Sequence, residues 1–131
     1  MPPLAQRREL DIRRRAVGPD VVLIEITGKI IFGPECQQVE WLIADVLRQN
    51  IRKVVFDISG VTQIDSTGLG IIVVCAGELS EAGGELRVAG AKGMVEKVLK
   101  ITNVYRILPL YPTAAAAVEE FNHVSGLDAA A

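Results

Sequence analysis

Hydrophobic and polar positions along this chain change period several times, and each change predicts an element. Leu10, Ile12 and Ala16 alternate imperfectly with Asp11, Arg13 and Arg15, the pattern of an exposed edge strand. Gly18-Pro19-Asp20 predicts a turn. From 21 to 28, Val22, Ile24 and Ile26 fall on one face and Leu23, Glu25 and Thr27 on the other. This is a second strand, completing an N-terminal hairpin or meander. Gly33-Pro34 opens the next element. After Cys36, the residues Val39, Leu42, Ile43, Val46 and Leu47 make one helical stripe. Trp41 lies off that stripe, so it either packs at the helix edge or meets a partner.

Gln49-Asn50 closes that helix, and Val54 to Ile58 is almost wholly β-branched or aromatic, as a buried central strand should be. A polar loop follows, up to Asp65-Ser66-Thr67, where a helix begins. That helix carries two apolar stripes, one through Leu69, Ile72, Val73, Ala76 and Leu79, the other through Ile71, Val74 and Cys75. A helix apolar on nearly all sides must pack on a sheet and also on neighbouring helices or a partner. Ala82-Gly83-Gly84 closes it. Residues 85–89 read as a strand and 92–101 as a short helix on Val95, Val98 and Leu99, with Asn103 as a left-handed cap. Residues 106–111 read as a last strand, whose Pro109 favours an edge, and 114–124 as a final helix of high propensity. The order is β-β-α-β-α-β-α-β-α, which implies an α/β fold with a mixed central sheet and covering helices. Residues 1–9 and 125–131 are expected as tails around one domain at 10–124.

Composition narrows the function classes. Half of the 131 residues are hydrophobic, enough for a real core. A net charge of −2 gives no field directed at nucleic acid or membrane. The longest apolar run, Ile71 to Ala76, is too short to span a bilayer, and the first residues lack the apolar core of a signal peptide. A cytoplasmic protein is expected. Cys36 and Cys75 are too far apart for a metal motif and are expected reduced and buried. Arginines 7, 8, 13, 14 and 15 are either a solvated edge or a patch for an acidic partner or phosphate.

Catalytic patterns do not assemble. His123 is the only histidine and lies near the end. Ile64 stands where a nucleophile elbow needs its first glycine. Gly68-Leu69-Gly70 lacks the third glycine of a dinucleotide fingerprint, and no Walker phosphate loop is present. No metal or cofactor is expected, and no enzymatic activity. What remains is Ser66, with Thr67 beside it. It is either an ordinary helix cap or a phosphorylation switch. A phosphate there would add a charge of about −1.5 to −2. The helix dipole would tolerate it, whereas a partner packed on the same spot would not.

At these residues the chain resembles the STAS domain family, and within it the anti-sigma factor antagonists. Asp65-Ser66-Thr67-Gly68-Leu69-Gly70 is similar to the family's Asp-Ser-[Ser/Thr]-Gly-Leu-Gly signature. Gly83-Gly84-Glu85-Leu86-Arg87-Val88-Ala89 and the Leu108-Pro109-Leu110-Tyr111-Pro112-Thr113 stretch also fit its pattern. The resemblance implies that Ser66 is phosphorylated by an anti-sigma factor with serine/threonine kinase activity. Unphosphorylated, the chain would bind that factor and release a sigma factor. A metal-dependent serine phosphatase would reset it. Asp65, Thr67, Gly68, Leu69, Gly70 and Ile31 are the implied partner-contact residues. Ile31 stands where the family commonly has an acidic residue, which leaves open a non-switching interaction subunit of a stress-signalling or transporter complex. A homodimer through the second stripe of the Ser66 helix is also open.

Overall fold

Alternation within the strands decides which side of the sheet each helix covers. A computed structural model describes residues 10–121. Both expected tails, the end of the final helix and His123 lie outside the described residues. The sheet has five strands in the order β1-β2-β3-β4-β5: β1 Leu10–Val17, β2 Val21–Ile30, β3 Lys53–Ile64, β4 Glu85–Ala89 and β5 Leu110–Tyr111. β1 and β2 form an antiparallel hairpin and the other neighbours are parallel. Each parallel step needs a crossover, supplied by α1 Gln37–Arg48, α2 Ser66–Glu81 and α3 Gly93–Ile101. A last helix, α4, runs over 114–121. The expected element order and mixed sheet are both present.

Val54, Phe56 and Ile58 point to one face, where they meet Val39, Ile43 and Val46 of α1, Ile72, Cys75 and Leu79 of α2, and Val95 and Leu99 of α3. Val55 points the other way and joins Val21, Leu23 and Ala89 beneath Ala117 and Phe121 of α4. α4 is fastened by Arg87, which is buried. Its guanidinium lies 3.7 Å from the Phe121 ring centroid and 5.4 Å from that of Tyr111. It donates to the Ala117 carbonyl at 3.3 Å and to Glu85 Oε2 at 3.1 Å. Stacking on two rings offsets part of the cost of burying that charge.

Several boundaries differ from those expected. The polar loop after Ile58 does not exist: β3 continues to Ile64. Its Thr62 and Gln63 are exposed, but Val61 and Ile64 are buried. Backbone pairing to Gly28 and Ile30 of β2, past register shifts that act as bulges, holds this polar stretch extended. The last strand, expected over 106–111, is confined to Leu110–Tyr111. The residues before it form a 3-10 turn, Val104–Arg106, entered through Asn103 at φ 60°, the left-handed position expected of it. Cys36 belongs to a 3-10 turn, Pro34–Cys36, ahead of α1. Trp41 is 64% exposed, so it is not packed at the helix edge. The arginine patch is paired where it is described: Arg13 with Asp11 at 3.3 Å, Arg14 with Asp45 at 3.0 Å and Arg15 with Glu25 at 4.0 Å. Among the described residues no helix is long and apolar enough to cross a membrane.

Cys36 and Cys75 are buried and unbridged. Burial, and then the Glu78 and Glu40 carboxylates, push the Cys75 thiol up to about 12. Burial raises Cys36 too, with Asp65 and Glu40 adding to it. At pH 8 a thiol at about 12 is thiolate on the order of one part in ten thousand. Native protein is therefore expected to react negligibly with a disulfide reagent such as Ellman's, and to release two equivalents once denatured. Rapid reaction of either thiol in the native state would contradict this packing.

Candidate functional site

The N-terminus of α2 is built around one carboxylate. β3 ends at Ile64, and Asp65 is the N-cap, extended at φ −111° and ψ −176°. Its Oδ1 accepts from the Gly68 N–H at 2.9 Å, satisfying a donor that the first turn leaves orphaned. Its Oδ2 accepts from the Phe32 N–H at 2.8 Å. The Asp65 N–H donates to the Ile30 carbonyl at 3.3 Å. One residue thus caps the helix and ties it to the segment leaving β2.

Asp65 therefore takes the capping role that Ser66 could have filled. Ser66 is the first residue of α2; it is exposed, and its hydroxyl makes no hydrogen bond among the described residues. Thr67 and Gly70 are exposed beside it, while Leu69 and Ile31 are half-buried. Gly68, expected among the contact residues, is instead buried beneath them. A Cβ there would lie 1.9 Å from the Ile30 carbonyl oxygen. The helix meets the end of β2 backbone to backbone, which only glycine permits. A Cβ on Gly70 would meet nothing within 4 Å, so its absence leaves the surface next to Ser66 low.

Sequence reasoning missed Phe32. It is 81% exposed, and its own N–H is held by Asp65, so a bare aromatic ring belongs to the Ser66 neighbourhood. Ile31, Phe32, Pro34 and Cys36 help to line a shallow cleft of about 190 Å³ on this side. Nothing in the local pattern marks Phe32, because its partner Asp65 lies in a different element.

Donation from the Gly68 N–H, then from that of Phe32, holds the Asp65 carboxyl below the ordinary carboxylate range. The sign follows. The ionised group favours the fold, its contribution is complete above the unfolded value of about 3.9, and it is lost as pH falls through the lower folded value. Among the described residues no group of three or more histidine, cysteine, aspartate or glutamate side chains could hold a metal ion. The arrangement offers an accessible hydroxyl on a rigid edge.

A sequence profile of the STAS domain matches residues 14–117. The chain belongs to the STAS domain family. A Thermotoga neapolitana protein provisionally named an anti-sigma factor antagonist is 36% identical over 81 residues, 62% of this chain and 72% of that protein. The crystal structure of a Thermotoga maritima protein with the same provisional name superposes at TM-score 0.76 and 29% identity, covering 83% of this chain and 92% of that one. The unphosphorylated form of the anti-sigma factor antagonist SpoIIAA superposes at TM-score 0.70 with 17% identity, covering 86% of this chain and 97% of that one, a likeness of fold alone.

In this STAS domain, Asp65→Ala is expected to cost about 1–2 kcal/mol in a denaturant melt. Ser66→Ala should stay within about 0.5 kcal/mol. Gly68→Ala should cost more than either. Asp65→Asn should flatten the stability–pH curve below about pH 4. Equal losses for Asp65→Ala and Ser66→Ala would return the capping role to the serine.

Proposed function

We propose that this STAS domain is an anti-sigma factor antagonist whose partner binding is switched by phosphorylation of Ser66. The reading is carried by the exposed Ser66 hydroxyl at the first position of α2, which makes no hydrogen bond among the described residues because Asp65 supplies the cap. The names of its relatives support the antagonist part of this reading. SpoIIAA has been solved in unphosphorylated and phosphorylated forms, and in both that protein keeps the fold described here. The domain performs no chemistry of its own. Its partner is an anti-sigma factor with serine kinase activity, and a metal-dependent serine phosphatase resets it.

The physics of the switch follows from the site. Asp65 already accepts from Gly68 and Phe32, so a phosphate on Ser66 has little reason to displace it and projects into solvent. A charge of about −1.5 to −2 then sits beside the Asp65 carboxylate. The fold tolerates this concentrated negative patch at a helix N-terminus. A partner lying on Thr67, Leu69, Gly70, Ile31 and Phe32 must desolvate it, and binding is lost. Asp65 and Gly68 serve by position, holding the contact surface from beneath.

Incubation with the cognate kinase and ATP is expected to add one phosphate, read as a single mass shift that Ser66→Ala abolishes. No transfer under conditions where that kinase binds the domain would sink the switch and favour a non-switching interaction subunit. Ser66→Asp should weaken partner binding by about tenfold or more while moving Tm by no more than about 3 °C.

A further inference from the structure

We infer that the surface formed by α3 and the turn after it, residues 92–107, is a second docking site, for an acidic protein segment carrying apolar anchors. It does not depend on the Ser66 reading. The described residues include seven large hydrophobics that stand exposed, and four of them fall here: Met94 at 65%, Ile101 at 78%, Tyr105 at 46% and Ile107 at 64%. Met94, Lys97 and Ile101 are three and seven positions apart on α3, so they share the face turned away from the buried Val95 and Leu99. Scattered exposed apolar residues need no explanation, but a cluster does.

Charge says what covers it. The segment carries Lys92, Lys97, Lys100 and Arg106 against a single Glu96, a local balance of +3 in a chain whose total is −2. Glu96 is taken by Lys100 at 3.6 Å. Lys92, Lys97 and Arg106 are exposed and form no ion pair among the described residues. A partner segment of opposite charge is steered there and its wrong-signed competitors are repelled.

Shape separates a protein segment from an anionic bilayer. Ile107 stands at a groove of about 370 Å³ that continues over Pro109, Leu86 and Glu85, whose carboxylate is taken by Arg87 at 3.1 Å, to Ala76 and Ser80 of α2. A side chain from a partner fills such a concavity, whereas a flat headgroup layer passes over it. The apolar face of α3 is also already committed to the core, so the helix has no continuous stripe to bury in lipid.

The full-length protein, isotope-labelled, is titrated with two synthetic amphipathic peptides of identical leucine spacing, one with glutamate and one with lysine at the polar positions. The glutamate peptide is expected to give saturable amide shifts confined to residues 93–107 and the groove, weakening as salt rises. The lysine peptide should give none. The double variant Lys97→Glu/Arg106→Glu should lower the glutamate peptide's affinity by about tenfold or more, Ile107→Ser should lower it too, and Ser66→Asp should leave it unchanged. No saturable shift, an equal response to the lysine peptide, or stronger shifts at the same residues from phosphatidylserine vesicles would each overturn the assignment. Loss of peptide binding on Ser66→Asp would overturn its independence from the switch.

Discussion

The Asp65 carboxylate, held between the Gly68 and Phe32 amides at 2.9 and 2.8 Å, is the contact on which the rest of the site depends. It closes the first turn of α2, fixes the segment leaving β2 and frees the neighbouring serine from structural duty. The clamp works only because Gly68 lets the helix come in against the Ile30 carbonyl, where a Cβ would stand 1.9 Å away. A longer side chain at either position would separate helix from strand, and with them Ser66 from Phe32. The charge of Asp65 also sets the tone of the surface, since any phosphate added beside it joins an existing anion.

The sheet holds this site from behind. β2 and β3 end side by side at Ile30 and Ile64, and behind them lies a core of fully buried residues including Ile24, Ile26, Phe56, Ile58 and Ile72. Three helices cover one face, and a fourth covers part of the other through Arg87 stacked on Phe121. Such a close-packed interior resists displacement of the rim it supports.

Where hydrophobic periodicity was strong, the chain could be read directly. Val39, Ile43 and Val46, and Val54, Phe56 and Ile58, fall on the faces their spacing predicts, because burial of one face is a property of the element's own period. Reading failed where pairing partners decide conformation. Ser59 to Ile64 looks like a loop by composition, yet it is strand because β2 supplies its hydrogen bonds. Arg106 to Leu108 looks like strand by composition, yet it forms a 3-10 turn and its exit, and pairing with β4 starts only at the Pro109 carbonyl, which accepts from the Val88 N–H at 3.0 Å. Phe32 carries no signal of its own, because its place beside Ser66 comes from an amide that reaches Asp65 across 33 residues.

By itself the sequence determined the order of elements, the mixed α/β class, the buried cysteines and the short polar signature at the start of α2. These follow from local periods, turn chemistry and the presence of particular residue types. Only the tertiary structure decided which of Asp65, Ser66 and Thr67 caps the helix, why Gly68 is glycine, and that Phe32 is tied to the same cap. Each of those depends on which backbone amide or carbonyl arrives from another strand, and that is set by packing, which no local window of sequence contains.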